Sequence, residues 1–245
     1  QILLVLSFVT FNDLQIFDTR ILILDKLLNT NTVNYLFVSF CILIVINGSN
    51  FTDGLNTLNI GYYLLIGIIV WYLKLDYQLN LNDIQINLFL VLLSLVLIMN
   101  LLNMLYLGDS GSYLLGFIFS VFLISLYNWN LNLSPYFIIL LLWYPCYETL
   151  FSIIRKKIFN KPVMEPDSEH LHQLIFFLIK KKFNLKILSA NILTANIINI
   201  YNLLIFLLAA KFIYNSKAQG MFILLNLIIY TVIYFKTLSY KNKIK

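Results

Sequence analysis

The sequence predicts an all-α protein: a polytopic bundle of transmembrane helices with about seven to eight spans, forming one membrane domain over residues 1–245. Three observations predict it. Of 245 residues, 60% are hydrophobic and only 11% charged, with a mean hydropathy of +0.84; a soluble domain carries about a quarter charged residues. The apolar residues gather into runs approaching the ~20 needed to cross a bilayer core. A spanning open sheet is excluded, because its edge N–H and C=O groups would find no partner in lipid.

The elements follow in order. The run at 1–9, "QILLVLSFV", reads as the second half of a span; it has no basic leader of the kind that opens a signal peptide. Further runs lie at 33–48, 58–74, 85–103, 111–128, 135–154, 187–214 and 220–238. No internal repeat and no Pro- or Ser-rich linker divides them. Cys41 and Cys146 both sit in apolar runs and read as free buried thiols.

Charge sets the expected orientation. Arg155, Lys156, Lys157, Lys161, Lys180–Lys182 and Lys186 crowd the connection 155–186, and Lys236, Lys241, Lys243 and Lys245 the tail. Basic residues concentrate in cytoplasmic loops, so both belong inside, and two spans between them agree. Counting back puts the connections near 48–58 and 103–111 inside as well. Those at 10–32, 75–84, 129–134 and 215–219 fall outside. The expected location is a cell (plasma or inner) membrane, with the C-terminus cytoplasmic. The polar stretches near 47–58, 104–113 and 155–186 then share one face, as one composite site would.

Each stretch has its own chemistry. In "GDSGSY" (108–113), glycines flank Asp109–Ser110 and allow a tight turn. Ser110 or Ser112 can cap the next helix, whose N-terminus suits a phosphate. Asp109 would repel that phosphate unless a cation such as Mg²⁺ lies between them. The alternative is a plain cap turn with a solvated acid. In "NGSNFTDGLNTL" (47–58), Asn47, Asn50 and Asp53 recur every third residue and share a helical face. They are hard metal ligands or hydrogen-bonding groups for a sugar or base, or else part of a merely Asn-rich connection. In "EPDSEHLHQL" (165–174), His170 and His172 do not share a helical face and do not form the His-Glu-x-x-His zinc pattern. Arg155, Lys156, Lys157 and Lys161 suit the phosphates of a soluble substrate; for the lysines, anchoring topology is the simpler role.

Together these stretches resemble the polyprenyl-phosphate N-acetylhexosamine-1-phosphate transferases of glycosyltransferase family 4. That family includes undecaprenyl-phosphate N-acetylglucosamine-1-phosphate transferase and phospho-N-acetylmuramoyl-pentapeptide transferase. Asn47, Asn50, Asp53, Gly54 and Leu58 match its first motif. Gly108, Asp109, Gly111, Ser112 and Gly116 match its second, with Tyr106 in place of Phe. Pro145, Glu148, Arg155, Pro166, Asp167, His170 and His172 match its third. The resemblance implies transfer of a sugar-1-phosphate from a UDP-N-acetylhexosamine-type nucleotide-sugar to polyprenyl (undecaprenyl) phosphate in the bilayer, for cell-wall or surface polysaccharide synthesis. It implies Mg²⁺, or Mn²⁺ in its place, and no nucleic-acid partner. It makes Asp109 and Asn50 metal ligands. Asp109, Asp53, His170 and His172 become catalytic candidates, and Asn47, Asn50, Asp53, Asn56, Ser112, Arg155 and Asp167 substrate-binding ones.

This chain departs from the family pattern at four places. Asn56 replaces the second Asp of the first motif, Thr57 the Gly after it, Glu148 an Asp, and Gln173 a third His. These changes favour a donor other than the muramoyl-pentapeptide one. The family's adjacent Asp-Asp pair is not found. Asn12–Asp13 is too near Asn47 for two intervening spans and falls on the outer face. The expectation is therefore a chain beginning just beyond that motif, inactive alone, from a protein that is an enzyme when complete. An inactive membrane scaffold is one rival reading. A transporter is another, but it would set its polar groups near the bilayer midplane, not on the loops of one face.

Overall fold

The structure, a computed structural model, describes residues 1–75, 83–160, 162 and 169–244. Among these residues it is helix and turn, with no strand. The helices are α1 (Ile2–Phe11), α2 (Leu22–Leu28), α3 (Asn31–Thr52), α4 (Leu58–Leu73), α5 (Asp83–Leu101), α6 (Gly108–Trp129), α7 (Pro135–Leu141), α8 (Trp143–Ile158), α9 (Leu171–Phe183), α10 (Ile187–Ala210) and α11 (Ser216–Ile244). The all-α class stands. Among the described residues, four helices, α3, α6, α10 and α11, are long and apolar enough to cross a membrane, or five spans with the bent pair α7–α8 counted as one, which does not confirm the expected seven to eight. Helices α1, α4 and Gln85–Leu101 of α5 are apolar but shorter. At a 1.5 Å rise, the 16 residues of α4 reach only about 24 Å of a ~30 Å core. Helix α2 lies inside 10–32, where the sequence pattern shows only a connection.

Helix α3 is central, packed against both α6 and α8. Glycine makes each approach possible. A Cβ on Gly48 would lie 2.0 Å from the Pro145 carbonyl oxygen. One on Gly116 would lie 2.4 Å from Ser49 Oγ and 2.9 Å from Ile46 Cα. Lipid offers helices no hydrophobic drive to associate, so close backbone approach at small residues supplies the contact energy. Cys41 and Cys146 are free thiols, each half-buried.

The run at 135–154, a single segment in the sequence pattern, is bent by 74° between α7 and α8. Pro145 accounts for the break, because it has no N–H to give the Leu141 carbonyl one turn back. That carbonyl accepts the Tyr62 hydroxyl at 2.8 Å instead, and the Tyr62 oxygen takes the Tyr144 N–H at 3.4 Å. A residue of α4 thus fills the gap that the proline opens.

Three connections meet at the end of the bundle away from the motifs. Arg20 donates to the carbonyls of Asn132 (3.1 Å), Leu133 (3.0 Å) and Tyr214 (3.4 Å) and to Ser216 Oγ (2.6 Å). Arg20, Asn132, Leu133 and Ser216 belong to the stretches 10–32, 129–134 and 215–219, which the charge pattern groups on one face. The fourth, 75–84, lies mostly outside the described residues.

If Tyr62 closes the break, Tyr62→Phe strands a buried carbonyl and destabilises the protein by about 1–3 kcal/mol. Thermal unfolding in detergent should show the loss. Tyr72→Phe on the exposed face of α4 should not.

Candidate functional site at one end of the bundle

The first motif is less of a loop than its polar residues suggest. Helix α3 runs through Thr52, and Asp53 is its C-cap. Asn47 and Asn50 therefore ride the last turns of a helix whose end is fixed by α6 and α8. The second motif opens α6 directly. Gly108 holds φ +61°, with open space around its Cβ position, so conformation and not crowding demands glycine there. The serine cap expected here is absent. Leu107 is the N-cap, without a side-chain bond, and Ser112 Oγ instead donates to the Asp109 carbonyl at 3.1 Å.

The two motifs touch. Asn50 Nδ2 lies 2.8 Å from Asp109 Oδ1 and 3.4 Å from Ser112 Oγ. Asp109 is exposed in the first turn of α6, where the helix dipole favours a negative charge. Asp53 faces the same place. Burial, and then the neighbouring Asp109 charge, push its carboxyl up to about 7, against the Gly108 N–H that favours its ionised form. The Asp53 carboxyl, held back from ionising beside the Asp109 charge, and the Asn50 amide between helix ends make a group that a divalent cation would relieve.

The third motif folds onto the first. His170 is the N-cap of α9, and its N–H donates to Gln173 Oε1 at 3.3 Å. The position where the family has a third histidine thus serves a helix start. Because His170 stands outside the helix, its ring can stack on His172, 5.7 Å away and within 6° of parallel, although the i, i+2 spacing separates them on a helix. The His170 ring also lies 4.9 Å from that of Phe51. His172 is fully buried, and a Cβ on Gly54 would come 2.6 Å from its Nε2. Neither of its ring nitrogens has a hydrogen-bond partner, and burial holds its pKa down to about 4. His172 is neutral at pH 7.

The other candidates fall in varied places. Asn47 donates to the Leu43 carbonyl at 2.7 Å, back along its own helix. Asn56 is held among other asparagines. Its N–H reaches Asn191 Oδ1 at 2.8 Å, and its side-chain amide reaches the Asn100 carbonyl at 3.3 Å and Asn103 Oδ1. Arg155 is buried and paired with Glu169 at 2.9 Å. Asp167, with Pro166 and Lys161, lies outside the described residues. What the sequence reading missed is Glu148's partners. Its Oε1 takes His170 Nδ1 (2.9 Å) and the Leu171 N–H (3.3 Å), and its Oε2 the Tyr230 hydroxyl (2.9 Å). Nothing in the pattern of α11 marks Tyr230 among its other aromatics.

Among the described residues no three His, Cys, Asp or Glu side chains converge as a metal cage. Mg²⁺ does not require one; it is commonly held by one or two carboxylates plus substrate phosphates and water.

Residues 1–127 match glycosyl transferase family 4. Over 162 residues the chain is 26% identical to the undecaprenyl-phosphate alpha-N-acetylglucosaminyl 1-phosphate transferase of Thermotoga maritima, covering 64% of this chain and 48% of that protein. Over 68 residues it is 35% identical to the probable undecaprenyl-phosphate N-acetylglucosaminyl 1-phosphate transferase of Bacillus subtilis, covering 27% of this chain and 19% of that one. The chain thus spans at most about half the length of these curated relatives. No solved structure matches it.

His172 gives the fold a pH dependence. Its folded pKa, about 4, lies below the ordinary imidazole value of 6.5, so the unfolded chain binds the proton more readily between those limits. Its contribution is whole above about pH 6.5 and is lost as pH falls towards 4, roughly 3 kcal/mol at most. Thermal unfolding across that window should show the decline, and His172→Gln should flatten it.

Proposed function

Since the chain belongs to glycosyl transferase family 4, we propose that it serves the transfer of an N-acetylhexosamine-1-phosphate from a UDP-type nucleotide-sugar to polyprenyl phosphate, releasing the nucleoside monophosphate. The observation that carries this reading is the contact of Asn50 with Asp109 at 2.8 Å, which joins two separate motifs at one end of a membrane bundle. His172 against Gly54 brings the third motif to the same end. The donor is soluble and anionic, and the acceptor's phosphate rides at the membrane surface. A site at a bundle end lets both arrive.

Asp109 and Asn50 fit a divalent cation, Mg²⁺ first and Mn²⁺ in its place. Rotating the Asn50 amide turns its oxygen towards Asp109's side, and Asp53 adds a second charge that resists ionising alone. Bound there, the cation neutralises the charge between two phosphate-bearing substrates. Asp109 holds the negative charge at an exposed helix start, and Ser112 braces that turn from beneath. His170, beside Phe51, and the fully buried His172, packed against Gly54, would support the donor side from within. The relatives' names carry an N-acetylglucosaminyl 1-phosphate group, which agrees with Asn56 and Gln173 standing apart from the muramoyl-pentapeptide pattern.

Asp109→Asn separates this reading from a helix-start role, because it keeps shape and removes charge. In the complete gene product, Mg²⁺-dependent release of nucleoside monophosphate should fall by several orders of magnitude. Each ~1.4 kcal/mol of lost transition-state stabilisation is tenfold. Thermal stability should hold. Normal activity in Asp109→Asn would overturn the metal-ligand role.

The motif end is cytoplasmic in this reading. With Cys41 and Cys146 replaced by Ser, single cysteines at Asn160 and Asn242 should react with an impermeant maleimide only from the cytoplasmic side. One at Asn132 should react only from outside. Opposite accessibility of Asn160 and Asn242 would sink the orientation.

A further inference from the structure

Asn100 lies near the end of α5 and belongs to neither motif. It is 4% exposed, and its one side-chain amide is used in both senses. Its oxygen takes the Thr57 N–H at 2.6 Å, in the turn that follows Asp53. Its Nδ2 donates to the Leu105 carbonyl at 2.8 Å, in the stretch 102–107 that leads to Gly108 and Asp109. One side chain thus joins the turn of the first motif to the approach of the second. Asn56 adds to the joint, donating to the Asn100 carbonyl at 3.3 Å and to Asn103 Oδ1. A backbone link runs between the same two places, from the Gly108 N–H to the Asp53 carboxyl.

The joint holds a strained backbone. Thr57 stands at φ +69°, in the left-handed region that a β-branched residue rarely takes. Such a conformation persists where its surroundings fix it, and it gathers at functional sites. The Thr57 hydroxyl is buried without a partner, so the turn is held through its peptide groups. Asn100 takes the N–H, and Asn199 of α10 donates to the carbonyl at 3.1 Å. Leucine would fill the space of Asn100, so packing alone does not account for an amide there.

We infer that Asn100 is a positioning residue for the candidate site, fixing the turn that carries Asp53 against the stretch that leads to Asp109. What the spacing serves rests on the proposed transfer function; the joint itself does not.

Hydrogen exchange of the protein in detergent reads the joint directly. Asn100→Leu keeps the side-chain volume and removes both bonds. Amide exchange should then rise several-fold in 54–58 and in 104–109 together, with 38–46 in the body of α3 unchanged. Asn100→Ser, too short to reach both partners, serves should Asn100→Leu fold poorly. In the complete gene product, Asn100→Leu should lower kcat roughly ten- to a hundredfold, as a ~1 Å misplacement does, and raise the Mg²⁺ concentration for half-maximal rate. Adding Thr57→Gly should recover part of the loss, because glycine takes the left-handed turn without being held there. Asn34 is the control, since its buried amide clasps Ile16 and Leu28 at the far end of the bundle. Asn34→Leu should lower thermal stability yet leave exchange at 54–58 and 104–109, and the Mg²⁺ dependence, unchanged. Exchange that rises in 54–58 alone, or in neither stretch, overturns the inference. An unchanged Mg²⁺ dependence in an active enzyme whose exchange has risen overturns it too. Faster exchange in both stretches, beside a complete gene product without transfer activity, counts against the transfer function and leaves the joint standing.

Discussion

The geometry of this protein depends on how closely two helices can approach α3. At Gly48 and Gly116 there is no room for a methyl group. Were either backbone pushed away, the end of α3 would lose its fixed relation to α6 or α8. Asn50 could not then reach Asp109, and Glu148 would not be set under His170. In water a gap of that kind is closed by hydrophobic pressure; in lipid it is not, and contact comes from fit. Glycine on the helix faces, at Gly48 beside Asn47 and at Gly116 two turns along α6 from Asp109, is therefore as much a part of the site as the acids.

The second constraint is the backbone. The turn after α3 lies close to apolar surroundings, and its peptide groups need partners from elsewhere. Side-chain amides supply them. Asn100 takes the Thr57 N–H at 2.6 Å and gives its own to the Leu105 carbonyl at 2.8 Å. Asn199 of α10 donates to the Thr57 and Leu58 carbonyls at 3.1 and 3.3 Å. Asn59 reaches back to the Ser49 carbonyl. An amide both donates and accepts, so it can fit a peptide group in either sense. Asparagine looks like background in a chain so rich in it; here a share of it knits the motif turn to α5 and α10.

Much of this was legible in the sequence, and the limits have physical causes. Hydropathy gives the class and most helix centres. Three of the connections that lysine asymmetry groups on one face are tied together by Arg20. Motif spacing brings Asn50, Asp53 and Asp109 to one place. Helix length is less legible, because apolar runs do not say where a turn unwinds, and among the described residues only four or five of the seven or eight expected spans are long and apolar enough to cross. The break at Pro145 was readable in principle, since a proline inside an apolar run frees a carbonyl. Its stabiliser, Tyr62, was not, because that contact is long-range. The same holds for Tyr230: a hydroxyl on an apolar helix gains meaning only once a buried acid lies beside it.

The departures from the family pattern make sense in these terms. The side chains of three of the four residues that differ, Asn56, Gln173 and Glu148, have found structural partners, whereas the buried Thr57 hydroxyl has none. Asn56 donates to the Asn100 carbonyl, which a carboxylate cannot do. Gln173 accepts the His170 N–H with a neutral side-chain oxygen, where a histidine would have to bring a ring of the right tautomer. Glu148 must span Tyr230 on one side and His170 with Leu171 on the other, and its extra methylene relative to aspartate gives that reach from the body of α8. The three changes lie in different helices and turns, yet two of them converge on His170. That ring is held by its backbone through Gln173 and by its Nδ1 through Glu148, while Phe51 and His172 flank its faces. A side chain fixed by so many separate elements has lost its rotamer freedom on folding.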